Sequence, residues 1–412
     1  MGMAPMGDRY RRPDWVRRMN AMGSAAGGAR DLVPLDASAM IDAVRASTGI
    51  ADPGDLGDGD WEGRLQALTA AIDGGDLHVV GRLMTREELM RGLRTRFLLG
   101  EQRRGDPSVA HEAIEAPIVV TGPARSGTTI LFELLGLDSG LRTPVATDVL
   151  HPVPAPGVDS AARFAMTESE QEFWADVQPE FAAIHELGSD LPVECITICA
   201  PSFAGNHWSM VLADPGEWTA DIGADLAFHR AVLQSAQHGR PPRRWLLKTP
   251  GWLFLLDDLL AAYPDASVIV SHRDPARTMP STVSTTATVQ WLRTDAVDLD
   301  VLSALIGAMF GDALNTLARR RDDGSLPGVF GDVRFHELMD DPVAAIAGAY
   351  EGIGREMTDE HRAAVIRYLD GKPRGKHGAH RYTAADWGFD ADVLRAELAP
   401  YMSRFGVAVE PA

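Results

Sequence analysis

Short apolar runs, each followed by a polar turn and a helical pattern, recur through the second and third quarters of the chain and beyond. The runs are as short as buried strands, and the segments between them carry apolar residues at three- and four-residue spacing, as amphipathic helices do. The strand candidates are Ile118–Thr121, Trp245–Leu247, Ser267–Ser271 and Val329–Arg334. Strands that alternate with helices predict an α/β fold with a parallel sheet, in which ligands bind at the carboxyl ends of the strands.

Helical patterns precede and interrupt this α/β part. Residues 37–48, 61–72 and 85–100 predict an N-terminal helical layer, and the spacing from Thr85 to Glu88 fits a capping box. The first thirty residues are rich in Met, Gly and Arg, and we expect them to be loosely ordered. A mostly helical insertion between about Pro152 and Arg240 contains several aromatic residues, which predict either core positions or an apolar pocket.

The acidic composition narrows the classes of function. The 412 residues carry a net charge of −19, which argues against nucleic acid or an anionic membrane surface as the main partner. No apolar run approaches the roughly 18–20 residues of a membrane span, and the basic N-terminal segment has no apolar run behind it. We therefore expect a cytoplasmic protein with no integral membrane segment. Cys195 and Cys199, the two cysteines, read as reduced core thiols.

The segment from Ala116 to Leu135 has the order strand, glycine loop, helix, which aims backbone N–H groups and a helix N-terminus at one point. Gly122 and Gly127 have the spacing of a Walker A phosphate loop, but Thr128 stands where its Lys is expected. The cation is instead Arg125, inside the loop. This change removes the phosphate-bridging Lys of a kinase or ATPase, and it is compatible with the 5′ end of a different nucleotide.

Two further strands deliver cations to the same predicted edge of the sheet. Arg273 ends one strand, and Ser281 follows it in the next helix, so that a guanidinium and a hydroxyl can converge on one phosphate. The alternative is a structural ion pair of Arg273 with Asp274 or Asp257. Lys248 ends the other strand and can neutralise charge in a transferring group; the alternative is a surface Lys.

A basic loop is predicted near the end of the sequence. Residues 372–382 combine four cations and two histidines with glycine and proline in an acidic protein. They predict either a loop that closes over an anionic ligand or a solvated charge run.

These motifs, taken in order, resemble those of the nucleotide-dependent sulfotransferases, specifically the bacterial family with an Arg-Ser-Gly-Thr-Thr loop. The resemblance covers roughly Leu35 to Val407. It rests on Arg-Ser-Gly-Thr-Thr after one strand, Lys-Thr-Pro after another, Arg and Ser eight positions apart after a third, and the Arg-Gly-Lys-His tail. It implies a P-loop NTPase-like parallel sheet flanked by helices, with the helical N-terminal layer and the helical insertion described above.

The resemblance also implies a sulfonate donor, 3′-phosphoadenosine 5′-phosphosulfate (PAPS), with adenosine 3′,5′-bisphosphate as product and no metal. Catalysis would involve Lys248 and Arg125 at the transferring group. The 5′-phosphosulfate would be held by the loop residues Arg125, Ser126, Gly127, Thr128 and Thr129. The 3′-phosphate would be held by Arg273, Ser281, Arg374, Gly375 and Lys376.

The general base is implied less directly. Related sulfotransferases often use a carboxylate on the segment after the phosphate-loop helix, and Asp148 occupies that position here. A His that others use two positions after the Lys is replaced by Pro250. Asp148 is therefore the first choice for the base, and Glu194, His151 and His185 are the next candidates.

The resulting domain prediction is one sulfotransferase domain over 31–412 after the N-terminal segment 1–30. Its parts are the helical layer 31–115, the phosphosulfate loop and helix 116–150, the acceptor or lid insertion 151–240, and the remaining α/β core with the basic loop, 241–412.

The expected reaction is transfer of a sulfonate group to a hydroxyl of a small, partly apolar metabolite or lipid, in bacterial secondary metabolism. The rivals are a P-loop-like phosphotransferase that uses ATP and Mg²⁺, and a nucleotide-binding protein without catalysis. A homodimer is compatible with the sequence.

Overall fold

A five-stranded parallel sheet forms the centre of the computed structural model, which describes residues 3–212, 214–371 and 383–411. The strand order is β2-β3-β1-β4-β5. The strands are β1 Ile118–Thr121, β2 Leu141–Arg142, β3 Arg244–Lys248, β4 Ser267–His272 and β5 Val329–Arg334. The four strands predicted from apolar runs are confirmed to within one residue at each end. The two-residue β2 is too short to produce a recognisable pattern.

The register of the sheet brings the carboxyl ends of its central strands together. Val120 of β1 lies opposite Lys248 of β3, and Thr121 lies opposite Val270 of β4. Both faces of the sheet are covered, since successive residues of β1 enter different apolar cores: Val119 packs in one, and Ile118 and Val120 pack in the other. Continuous apolar runs are what a parallel sheet buried on both faces requires.

Helices surround the sheet in three groups. The N-terminal layer consists of α1 Met6–Arg9, α2 Asp14–Ala25, α3 Ala29–Leu32, α4 Ala37–Thr48, α5 Trp61–Gly74 and α6 Val79–Gly105. The phosphate-loop helix and the insertion consist of α7 Thr128–Leu135, α8 Ala146–Leu150, α9 Ser160–Val177, α10 Phe181–Ile184, α11 Cys195–Cys199, α12 Asn206–Val211 and α13 Ile222–Gln237. The remaining helices are α14 Leu256–Ala262, α15 Pro275–Trp291, α16 Leu299–Asp322, α17 Phe335–Asp340, α18 Pro342–Gly352, α19 Asp359–Gly371, α20 Ala391–Glu397 and α21 Ala399–Phe405.

Short 3₁₀ turns connect some of these elements. They are Pro107–His111, Ala200–Ser202, Pro250–Phe254 and Ala385–Trp387.

The N-terminal layer differs from its prediction at two points. The capping box at Thr85 is wrong, because α6 starts at Val79 and is capped by the His78 ring, while the Thr85 hydroxyl donates to the Gly81 carbonyl. Residues 3–30 are anchored to the rest of the chain at a few buried positions, which are Met6, Arg12, Val16 and Gly23. Arg12 is buried over the Trp291 ring and pairs with Asp295.

The aromatic residues of the insertion belong to the core that the insertion shares with the N-terminal layer. Phe203, Trp208 and Trp218 are all buried there. Trp208 donates its indole N–H to the Ala200 carbonyl, and Trp218 donates to the Phe203 carbonyl. Of the two interpretations that the sequence allows, these three residues therefore follow the core interpretation.

Within the described residues, one helix is long and apolar enough to cross a membrane. This is α16, whose most apolar 18-residue stretch has a mean hydropathy of 1.5. It is inconspicuous in the sequence because Asp300 and Asp312 interrupt its apolar pattern. The buried side of the helix packs into the core through Leu302, Ile306, Phe310 and Leu314. The core helix of a soluble protein passes the same test, so this finding is weak evidence for a membrane span.

Candidate active site at the carboxyl edge of the sheet

The glycine loop between β1 and α7 has a shape that only glycine permits at two positions. Gly122 has a φ of +136°, and a Cβ there would lie 2.4 Å from the Ser271 carbonyl oxygen of β4. Gly127 has a φ of +92°, and a Cβ there would lie 3.0 Å from the Phe335 ring. Arg125 adopts the left-handed conformation without being glycine, with a φ of +65°. The loop is thus tightly wound against β4 and the start of α17.

The N-terminus of α7 faces out of this loop. Its N-cap residue is Gly127, which has no side chain with which to cap the first-turn N–H groups. These groups and the helix dipole favour an anion at this point. The side chains of Arg125 and Thr129 are exposed beside it, whereas Thr128 is buried.

Ser126 shapes the loop in this conformation. Its backbone N–H and its hydroxyl both donate to the Pro123 carbonyl, and its own carbonyl accepts from the Ser271 hydroxyl. Both Ser126 donors are therefore engaged within the protein. A direct contact of this side chain with a ligand, as the sequence predicts, would require these bonds to be exchanged.

Lys248 and Glu194 form a buried ion pair next to the loop. The Lys248 side chain is only 3% exposed. Its Nζ donates to Glu194 Oε1 at 2.5 Å and to Thr129 Oγ1 at 3.2 Å, which links β3 to the first turn of α7. The Thr249 hydroxyl lies 3.3 Å from Glu194 Oε2, and His185 Nε2 lies 3.3 Å from Glu194 Oε1. The prediction that Lys248 lies at the loop is thus matched by this geometry, and the interpretation as a surface Lys is not.

The ionised form of Glu194 is strongly favoured. Burial alone would raise the pKa of this carboxyl, but the charges of Lys248 and His185 and their hydrogen bonds outweigh burial and lower the pKa to about 2. Glu194 therefore stays ionised beside the anion loop at every physiological pH, because the charge of Lys248 stabilises its carboxylate.

The segment after α7 positions Glu194 by backbone hydrogen bonds. The Ala146 N–H donates to Leu191, the Val193 N–H donates to Pro144, and Val145 pairs with Pro192 in an isolated antiparallel bridge. Residues 144–147 thus hold residues 189–193 alongside them. Glu194 follows directly and meets Lys248. The resemblance implied that the segment after α7 supplies the base, Asp148. In the structure this segment instead positions the carboxylate of Glu194.

Asp148, the first choice for the base, is engaged elsewhere. Its two carboxylate oxygens accept from Arg240 at 2.6 and 3.0 Å, and Arg163 lies 3.5 Å away. This bidentate pair is the geometry of a structural salt bridge. His151 is also paired away from Lys248, with Glu170 at 2.8 Å. Glu194 and His185 are the two candidates for the base that the structure brings to Lys248.

Arg273 follows β4, which lies on the other side of β1 from β3 and Lys248. Its Nη1 donates to the Arg125 carbonyl at 2.7 Å, and its guanidinium lies over the Phe335 ring, 3.7 Å from the centroid. Its acidic partner is Glu410, and neither acidic partner expected from the sequence applies: Asp274 pairs with Arg395, and Asp257 pairs with Arg320. Arg273 and the phosphate loop are thus in direct contact.

The remaining predicted ligands of the 3′-phosphate are placed less fully. Ser281 is buried in the second turn of α15, the helix that follows Arg273. Arg374, Gly375 and Lys376 lie outside the described residues. Across residues 3–212, 214–371 and 383–411, no group of three or more His, Cys, Asp or Glu side chains is arranged to hold a metal ion.

Sequence reasoning missed two residues at this site. Phe335 stacks on Arg273 and packs against Gly127; the one signal for it in the sequence is its place directly after β5. Glu410 has no motif around it, and only the folded chain brings it to Arg273.

A parallel sheet with a glycine-rich anion loop at its carboxyl edge defines an α/β protein with a P-loop-like fold. The model of the sulfotransferase family matches residues 117–359, which include the loop, Lys248 and Arg273. The chain belongs to the sulfotransferase family.

Two solved structures are similar over almost their whole length. The sulfotransferase STF9 from Mycobacterium avium is 22% identical, with a TM-score of 0.76 and coverage of 91% of this chain and 98% of that one. The sulfotransferase STF1 from Mycobacterium tuberculosis H37Rv is 25% identical, with a TM-score of 0.67 and coverage of 88% and 98%. No curated protein matched the chain. These similarities agree with the fold described above.

Proposed function

We propose that this sulfotransferase moves a sulfonate group from PAPS to a hydroxyl of a small, partly apolar acceptor. The observation that carries the proposal is the juxtaposition of an uncapped phosphate-type loop with the Lys248–Glu194 pair. A phosphotransferase that uses ATP and Mg²⁺ is less well supported, because Thr128 replaces the Lys that would bridge the β- and γ-phosphates.

The loop suits the 5′-phosphosulfate end of the donor. First-turn N–H groups of α7 and the exposed Arg125 provide hydrogen-bond donors and positive charge for an anion. The space for that anion depends on Gly122 and Gly127, where side chains would push the loop out of shape. Arg273, in contact with the same loop, is the proposed partner of the 3′-phosphate, together with Ser281.

Lys248 is proposed to stabilise the charge that develops on the bridging oxygen as the sulfonate leaves. A cation already positioned in a buried site needs little reorganisation during the reaction, which makes its electrostatic effect large. Lys248 also contacts Thr129 at the start of α7, so it lies beside the place where the phosphosulfate would bind.

Glu194 is proposed as the general base, in place of Asp148. A carboxylate with a pKa of about 2 is a weak base while it is paired with Lys248. When the anionic donor binds, Lys248 gains a second negative partner and its hold on Glu194 weakens. The carboxylate can then accept the proton of the acceptor hydroxyl. His185, within 3.3 Å of Glu194, would keep it oriented.

The donor is tested first, by calorimetric titration with adenosine 3′,5′-bisphosphate and with ATP plus Mg²⁺. The proposal expects the bisphosphate to bind at micromolar concentration or tighter, and Arg273→Ala to weaken that binding. Arg320→Ala is the control, because Arg320 carries the same charge but pairs with Asp257 away from the loop. Tight binding of Mg²⁺-ATP without bisphosphate binding would instead favour the phosphotransferase.

The base is tested by comparing Glu194→Gln with Asp148→Asn. We expect Glu194→Gln to reduce sulfonate transfer from labelled PAPS by roughly 10²- to 10⁴-fold, the usual contribution of a general base. Asp148→Asn should leave transfer nearly unchanged, because it loses only an ion pair with Arg240 and Arg163. The opposite ranking would return the base to Asp148.

A further inference from the structure

The segment that follows α21, residues 407–411, crosses the proposed 3′-phosphate site. The Glu410 carboxylate receives two parallel hydrogen bonds from Arg273, Nε to Oε1 and Nη2 to Oε2, each at 2.7 Å. Both partners are mostly shielded from solvent, with side chains 19% and 23% exposed. This forked geometry is the one in which a guanidinium binds a phosphate.

The segment is fixed at this point by its backbone as well. The Glu410 N–H donates to Asp274 at 2.9 Å, and its carbonyl accepts from Arg395 at 2.9 Å. Arg277 donates to the Pro411 carbonyl. Asp274 caps α15, so the segment is tied to the same strand-to-helix turn that carries Arg273. A carboxylate that was merely near Arg273 by chance would not need these three further contacts.

The remaining surroundings of Arg273 leave little choice of position for a second anion. Phe335 covers one face of the guanidinium, and Nη1 is directed to the Arg125 carbonyl. The edge formed by Nε and Nη2, which is the edge suited to bidentate recognition, is taken by Glu410. A phosphate on that edge would have to replace the carboxylate, since two anions cannot share it without repulsion.

We infer that Glu410 is a built-in competitor for the nucleotide's 3′-phosphate, so that the 407–411 segment must release Arg273 before the donor binds fully. This inference rests on the proposed function, which assigns the 3′-phosphate to Arg273. It adds a selectivity element to the site. A nucleotide without a 3′-phosphate gains nothing from Arg273, because the arginine stays paired with Glu410. Only a group with more negative charge than a carboxylate displaces it.

The test is calorimetric titration of the full chain and of Glu410→Gln with adenosine 3′,5′-bisphosphate and with adenosine 5′-monophosphate. Removing the competitor should tighten bisphosphate binding by roughly three- to tenfold, the range expected for one partly exposed, bidentate ion pair. Binding of the monophosphate should not change. Glu397→Gln is the control. Glu397 is exposed in α20, and its substitution removes the same charge without affecting a contact to Arg273. A chain that ends at Ala408 should behave like Glu410→Gln.

Each outcome separates this inference from the proposed function. If neither the full chain nor Glu410→Gln binds the bisphosphate, the proposed donor site is wrong and the inference falls with it. If the full chain binds the bisphosphate and Glu410→Gln binds it no better, the donor site stands and the competitor is refuted. Equal tightening of both nucleotides, or tightening by Glu397→Gln as well, would show only a general effect of charge, and would also refute it. In an Arg273→Ala background, Glu410→Gln should have no effect on bisphosphate binding.

Discussion

Gly122→Ala is the sharpest test of the shape of the anion loop. The added Cβ would lie 2.4 Å from the Ser271 carbonyl oxygen and 3.1 Å from the Ser271 nitrogen. Both atoms belong to the backbone of β4, which is hydrogen-bonded between β1 and β5 and has little freedom to move. An ordinary contact begins at 3.4 Å, so the oxygen and the Cβ would have to separate by about 1 Å.

The expected loss of stability has two parts. A φ of +136° is strained for alanine, which costs roughly 1–3 kcal/mol, and forcing a methyl group into a closely packed contact costs roughly another 1–3 kcal/mol. We expect the free energy of unfolding to fall by about 2–6 kcal/mol, or the loop to shift and lose its affinity for the bisphosphate. The assays are urea unfolding and calorimetric titration of the same preparation.

Gly324→Ala is the matched control for the backbone strain. Gly324 also has a positive φ, +69°, but no atom lies within 4 Å of the added Cβ. It should lose only about 1–2 kcal/mol, the strain of a left-handed residue, and it should bind the bisphosphate normally. If Gly122→Ala unfolds like Gly324→Ala and still binds the bisphosphate, the reasoning about the loop is refuted.

Two predictions concern the dependence of stability on pH. Because the pKa of Glu194 is lower in the folded chain than in the unfolded chain, its stabilisation is complete above about pH 4.5 and is lost as the pH falls toward 2. Urea unfolding of Glu194→Gln should lack this contribution, on the order of 3 kcal/mol, and an unchanged acid slope would contradict the pairing with Lys248. Asp225 gives a pH dependence of the opposite sign. Burial raises the pKa of its carboxyl to about 7, and a hydrogen bond from Ser202 offsets this effect only in part. The folded chain should therefore lose stability as the pH rises from about 4 to 7. Asp225→Asn should remove this contribution between about pH 4 and pH 7, and a slope equal to that of the unchanged chain would contradict it.

The sequence predicts the sheet well because its strands are local signals. Runs such as Ile118–Thr121 are buried on both faces, and this burial shows directly in their continuous apolar character. The predicted start of α6 is wrong for a physical reason: Glu88 looks like a capping residue, but in the fold it is a buried partner of Arg293 and His207. Local spacing does not distinguish these two roles.

The site is predicted only in part because half of it is built by distant segments. Lys248 follows a strand and is found by pattern. Glu194 reaches Lys248 only because backbone hydrogen bonds hold residues 189–193 against residues 144–147, across more than forty residues of chain. Glu410 meets Arg273 across 137 positions. No spacing rule connects such pairs, and they become visible only when the chain is folded.

The most direct test of the proposed donor site is a crystal structure of the full chain with adenosine 3′,5′-bisphosphate. We predict the 5′-phosphate at the first-turn N–H groups of α7, near Lys248, and the 3′-phosphate on the Nε and Nη2 edge of Arg273 with Glu410 displaced. A nucleotide bound away from the Gly122–Gly127 loop, or one whose 3′-phosphate lies away from Arg273, would contradict the central assignment of the donor site.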